Sequence, residues 1–106
     1  MGLFDSEKYD LSGCNVTDIA AICSALTMAG QSVGDRENKS VISSAHSKLD
    51  RGRLRLTERE FRLTTASVLA ILAVLQDKKD KGEGDSDLDS VFRMLKNAAE
   101  KLTQLI

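Results

Sequence analysis

Residues 57–80, TEREFRLTTASVLAILAVLQDKKD, contain neither glycine nor proline and open on a reciprocal capping signature. Thr57 can accept from the backbone N–H of Glu60 while the Glu60 carboxylate reaches back to the N–H of Thr57. Two orphan donors of a helix start are then satisfied together. The run is far longer than a strand and rich in helix formers, so the spacing predicts a helix from Glu58 to about Asp80. Phe61, Val68, Leu72 and Leu75 form one stripe along it, and Leu63, Leu69, Ile71 and Val74 extend the apolar surface nearly all round its second half. A helix apolar on every side is either central to its domain or covered by a second chain as well.

Three further helices fit around it. Asn15 is placed to cap a helix whose apolar residues Val16, Ile19, Ile22, Cys23, Leu26 and Ala29 recur at helical spacing, with Gly30 or Gly34 as its end. Asp35 can cap a second, reaching to Gly52, where a terminating glycine belongs. Its stripe is thin: Val41, Ile42, Ala45 and Leu49. Serines 40, 43, 44 and 47 lower its propensity, so packing must hold it, and their small volume would let another helix come close. After the loop DKGEGDSD, Ser86 or Asp87 can cap the last helix. In it Leu88, Val91, Phe92, Leu95, Ala98, Ala99, Leu102, Leu105 and Ile106 keep an a/d pattern to the final residue.

The absence of proline and an aromatic share of 4% argue against a sheet protein. The expected fold is all-α: an antiparallel bundle of about four helices in one domain over residues 15–106, with 1–14 as a short N-terminal arm and the last two helices as a long hairpin. At 1.5 Å per residue the last two helices would span roughly 30 to 35 Å and the first two about 22 to 24 Å. The overhang would carry exposed apolar residues, Leu105 and Ile106 among them, which a symmetric dimer would bury.

The longest apolar run, residues 68–75, is far short of the ~20 needed to cross a bilayer, and the start MGLFDSEKYD lacks the cationic and apolar regions of a secretory signal. A cytoplasmic protein is expected. Gly2 with Ser6 meets the short myristoylation pattern, set against packing of Leu3 and Phe4 as an apolar arm. Cys14 and Cys23 have no C-x-x-C spacing and make no disulfide framework, as suits a reducing compartment.

The inventory for catalysis is thin. His46 is the single histidine and lies beside Ile42 and Leu49, away from any zinc-ligand spacing with Cys14 or Cys23. Asp85, Asp87 and Asp89 imitate the start of a calcium loop, but the sixth and twelfth positions hold Ser90 and Lys96, so the acids read as first-turn capping charges. No phosphate-loop, dinucleotide or nucleophile-elbow motif occurs. No enzyme activity, cofactor or metal is expected.

One cluster asks for a function. Lys48, Arg51, Arg53, Arg55, Arg59 and Arg62 stand in fifteen residues against Asp50, Glu58 and Glu60, in a chain of formal net charge −1. Arginine suits phosphate, and two helices meeting at a basic turn resemble a helix-turn-helix, so these six are the candidate phosphate-binding set for a nucleic acid or nucleotide. Against this, the second helix opens with Glu58 and Glu60, and GRLRL alternates polar with apolar, as if Leu54 and Leu56 tucked inward while the arginines faced water or paired with those acids. Residues 77–89 form an opposite, acidic pole, which also allows head-to-tail pairing of subunits. The reading preferred from sequence is a protein-protein interaction or regulatory module, a homodimer assembled through Val68, Leu72, Leu75, Leu95, Leu102 and Leu105 of the last two helices. Binding of nucleic acid or nucleotide by 48–62 is the alternative.

Overall fold

A computed structural model describes residues 6–106. Gly2 of the myristoylation pattern and the apolar pair Leu3 and Phe4 lie outside the described residues. The elements in order are β1 (Tyr9–Asp10), α1 (Val16–Ser32), α2 (Arg36–Asp50), β2 (Arg55–Leu56), α3 (Glu58–Asp80) and α4 (Ser86–Thr103). The protein is a small four-helix bundle, and no helix among the described residues is long and apolar enough to cross a membrane.

Each helix begins where a short polar side chain satisfies its first N–H groups. Asn15 and Asp18 form a capping box on α1, Asp35 accepts from Asn38 at 3.0 Å on α2, and Thr57 and Glu60 form the expected box on α3. The cap of α4 is Asp85, accepting from Leu88 N–H at 2.9 Å, rather than Ser86 or Asp87. The ends differ from one another. α2 closes with Arg53 N–H on the Lys48 carbonyl at 2.8 Å and Gly52 N–H on that of Leu49 at 3.1 Å, around Gly52 at φ +80°. α3 repeats the device with Glu83 on Lys78, Gly82 on Lys79 and a φ of +73° at Gly82, conformations that glycine adopts without strain. α1 instead runs past Gly30 to Ser32. A Cβ on Gly30 would stand 3.7 Å from Ile42 Cγ2, so this glycine sits inside the helix against α2.

α1 and α3 are the central pair, each packed on the other and on both flanking helices, with α2 and α4 on opposite sides. Ile22, Leu26, Leu56, Val68, Leu95 and Leu102 are fully buried between them. Of the α2 serines, Ser40, Ser43 and Ser44 are exposed and Ser47 is half-buried, and Ser44 meets α3 through a hydrogen bond to Glu60; the fully buried small residue of α2 is Ala45, and Gly30 of α1 faces Ile42. The arm is part of the core. Tyr9 pairs with Leu56 and Asp10 with Arg55 in a two-stranded antiparallel ribbon, extended by Leu11 N–H to the Leu54 carbonyl at 2.7 Å. Leu11 and Leu56 are both completely buried, and the Tyr9 ring stacks on Phe61 with centroids 4.1 Å apart. Leu54 and Leu56 therefore do point inward, for the reason the alternation in GRLRL implied.

Only α3, with 23 residues or about 34 Å, outreaches its partners; α4, with 18, is about 27 Å long because it ends at Thr103. The projecting part is consequently the turn end of the hairpin and not the C-terminal end that holds Leu105 and Ile106. From residue 69 to residue 94 no residue is buried, although eleven are apolar.

The core also contains a flaw. Thr64 and Thr65 lie inside it with hydroxyls that find no partner among the described residues, whereas Ser67 donates to the Leu63 carbonyl at 2.7 Å. An unpaired buried hydroxyl costs about 1 to 3 kcal/mol. Thr64→Val keeps the shape and removes the hydroxyl, so it is expected to stabilise the protein by about 1 kcal/mol, read as a raised urea midpoint at constant m.

Candidate functional site

A polar cleft of about 590 Å³ lies between α2, the start of α3 and the arm. Its centre is Lys48, whose Nζ donates to Glu7 Oε2 at 2.6 Å and to Glu60 Oε1 at 2.7 Å. Glu60, only 5% exposed, also accepts from Ser44 Oγ at 2.7 Å and from the Thr57 N–H at 2.9 Å. The capping geometry of α3 thus places one carboxylate where it serves its own helix, α2 and, through Lys48, the arm.

Electrostatics tell what this cluster can do. Burial works to raise the Glu60 carboxyl, but hydrogen bonds from Lys48, the Thr57 N–H and Ser44 outweigh it and hold the group below the usual carboxylate range. The hydrogen bond from Lys48 likewise holds Glu7 down. Burial works to lower the Lys48 ammonium, and Glu60 and Glu7 together keep it above its ordinary value. A general base needs a raised carboxyl and a nucleophilic lysine a lowered amine, and both shifts here run the other way. The arrangement is that of a clamp joining three segments. A second clamp joins the bundle's ends: Lys101 of α4 donates to the buried Asp18 of α1, holding that carboxyl down against the opposing effect of burial.

Four of the six cations proposed for phosphate are paired with acids, two of which are remote in sequence. Lys48 is shared by Glu7 and Glu60, Arg53 approaches Glu7 at 3.8 Å, Arg59 pairs with Glu37 at 2.7 Å, and Arg62 pairs with Glu58 at 3.0 Å. Arg51 and Arg55 are exposed and make no ion pair among the described residues. Counting Glu7 and Glu37, the local excess of positive charge along 48–62 is largely cancelled in space.

The six proposed interface residues divide. Val68, Leu95 and Leu102 are buried by the chain's own helices, so they hold the single chain together. Leu72 and Leu75 are half-buried on the hairpin, and Leu105 is 38% exposed near the C-terminal end. The apolar surface on the hairpin is carried instead by Leu69 and Val74 of α3, 47% and 51% exposed, and by Val91 and Met94 of α4, 40% and 36% exposed. The six acids and three lysines of 77–89 surround its tip, where Lys79 lies over the Phe92 ring at 4.4 Å and 3.4 Å from Asp89.

Both cysteines are free. Cys14 precedes α1 and Cys23 lies within it, so at 1.5 Å rise per residue they stand more than about 10 Å apart, beyond disulfide reach. Burial pushes both thiols up. His46 is half-buried, and no group of three or more histidine, cysteine or acidic residues that could hold a metal occurs among the described residues. Comparison with family models, with curated proteins and with solved structures finds no match.

Proposed function

We propose that the protein is a non-catalytic helical interaction module of the cytoplasm, which pairs with a second copy of itself through the projecting half of the α3–α4 hairpin. The observation that carries this reading is the run of eleven apolar side chains between residues 69 and 94 with no buried residue among them. Soluble domains seldom leave such a surface uncovered. Burying Leu69, Val74, Val91 and Met94 from half exposure on both copies is worth on the order of 8 kcal/mol, and the half-buried Ile71, Leu72, Leu75 and Phe92 add about 4 more; after an association cost of about 6 this fits a weak dimer with a Kd on the order of tens to hundreds of micromolar. The acidic tips repel one another, so an antiparallel pairing that keeps them apart is the favoured arrangement.

Val74→Lys combined with Val91→Lys is expected to reduce the mass in solution to that of one chain while leaving helicity intact, because both positions are exposed in the single chain. A double variant that retains twice the chain mass would place the interface elsewhere. The competing reading, a nucleic-acid or nucleotide site on 48–62, is supported by Arg51 and Arg55 alone. Absorbance at 260 nm that travels with the purified protein at low salt, and is lost on raising salt, is the result that would favour it.

A further inference from the structure

A second cleft, of about 580 Å³, opens between the first half of α1 and the turn that follows α2. Its wall is apolar, formed chiefly by Val16, Ile19, Cys23, Leu49 and Leu54, and its volume lies in the range of small-molecule sites. Val16 stands on it 86% exposed, an apolar side chain that the fold leaves without cover. Asp50 is the one charged residue among those lining the cleft, and it makes no ion pair among the described residues. It occupies the last position of α2, where the helix dipole adds further negative potential. The neighbouring Arg51 is exposed and does not line the cleft. After burial, the Asp50 carboxylate is the second influence pushing the Cys23 thiol up, which places its field across the apolar wall.

We infer that this cleft binds a small organic cation with an apolar body: an amine whose alkyl or aryl tail lies along Ile19, Cys23 and Leu54 and whose ammonium group meets Asp50. Charge complementarity selects the head and the apolar wall selects the tail. The surface is distinct from the hairpin, so its ligand and the dimer can be tested separately.

Octylamine and octanoate share a tail and differ in charge. Titrated into the full chain, octylamine is expected to give saturable amide shifts at the cleft residues and to slow iodoacetamide alkylation of Cys23, followed by peptide mass mapping, several-fold. Octanoate is expected to bind about ten-fold more weakly, and Asp50→Asn to weaken octylamine about three-fold, the scale of one exposed charge pair. Ala20→Phe, at an exposed position of α1 that lines the cleft, fills it and should abolish the shifts. Equal affinity for the two probes, octylamine binding that survives Ala20→Phe, or no saturable shift with octylamine would each overturn the inference.

Discussion

Leu95→Asp is expected to unfold the chain rather than to separate two folded copies. Leu95 is 1% exposed and belongs to one cluster with Ile22, Leu26, Val68 and Leu102. Truncating such a residue to alanine costs about 2 to 5 kcal/mol, and placing an unpaired carboxylate there costs more still. A domain of this size has about 5 to 15 kcal/mol in total, so the aspartate variant should lose most of its helical circular dichroism at 25 °C. The alanine variant should remain folded with a lowered urea midpoint. Native helicity and an unchanged midpoint in the aspartate variant would refute the burial of Leu95 in its own chain and return it to an interface.

The second large effect belongs to Glu60. Glu60→Ala removes the more buried of the two carboxylate partners of Lys48, the acceptor of Ser44 and half of the capping box of α3 in one change. Breaking a largely buried, hydrogen-bonded pair costs about 3 kcal/mol, equivalent to a fall in Tm of roughly 15 °C for a domain of this size. Glu58→Ala, two residues away, removes only an exposed pair with Arg62 and is expected to cost less than about 0.5 kcal/mol. Equal effects at the two positions, measured by thermal denaturation, would show that the clamp contributes nothing.

The same groups determine the pH profile. Glu7, Glu60 and Asp18 are held below their ordinary values, so their contribution is present above the unfolded values of 4.5 and 3.8 and is lost as pH falls through the folded ones. Lys48 and Lys101 are held above 10.5, so theirs is complete below that value and is lost as pH rises through the folded ones. The Cys14 and Cys23 thiols are held above 9.0 in the folded chain, which costs stability as pH rises past that value. Stability should therefore be level from about pH 5 to about pH 8, fall below about pH 5, and fall above about pH 9 more steeply once the lysines also titrate, and Glu60→Ala should reduce the acid loss and the lysine part of the alkaline loss.

The helices and their starts were legible because their signals are local. Asn15, Asp35 and the Thr57–Glu60 box lie within three residues of the N–H groups they satisfy. Only the cap of α4 shifted, by one residue among three neighbouring candidates. What the sequence concealed depends on partners far along the chain. Glu7 and Glu37 lie 41 and 22 positions before the cations they pair with, Lys48 and Arg59, so charge counted along the chain overstates the positive excess of 48–62, where Arg51 and Arg55 make no ion pair among the described residues. The ribbon of Tyr9–Asp10 with Arg55–Leu56 left a trace in the alternation of GRLRL, but two residues are too few to announce a strand. Val68, Leu95 and Leu102 look identical to Leu69, Val74 and Val91 in composition. Only the tertiary packing decides which of them face the chain's own core.

The central claim is that the uncovered hairpin is closed by a second copy. Light scattering during size-exclusion chromatography, on protein loaded at about 0.5 mM and again at about 5 μM, tests it most directly, since a dimer with a Kd of tens to hundreds of micromolar dissociates across that range. The expected mass approaches 2 × 11.6 = 23.2 kDa at the higher load and falls toward 11.6 kDa on dilution. A mass of 11.6 kDa at every concentration would contradict it.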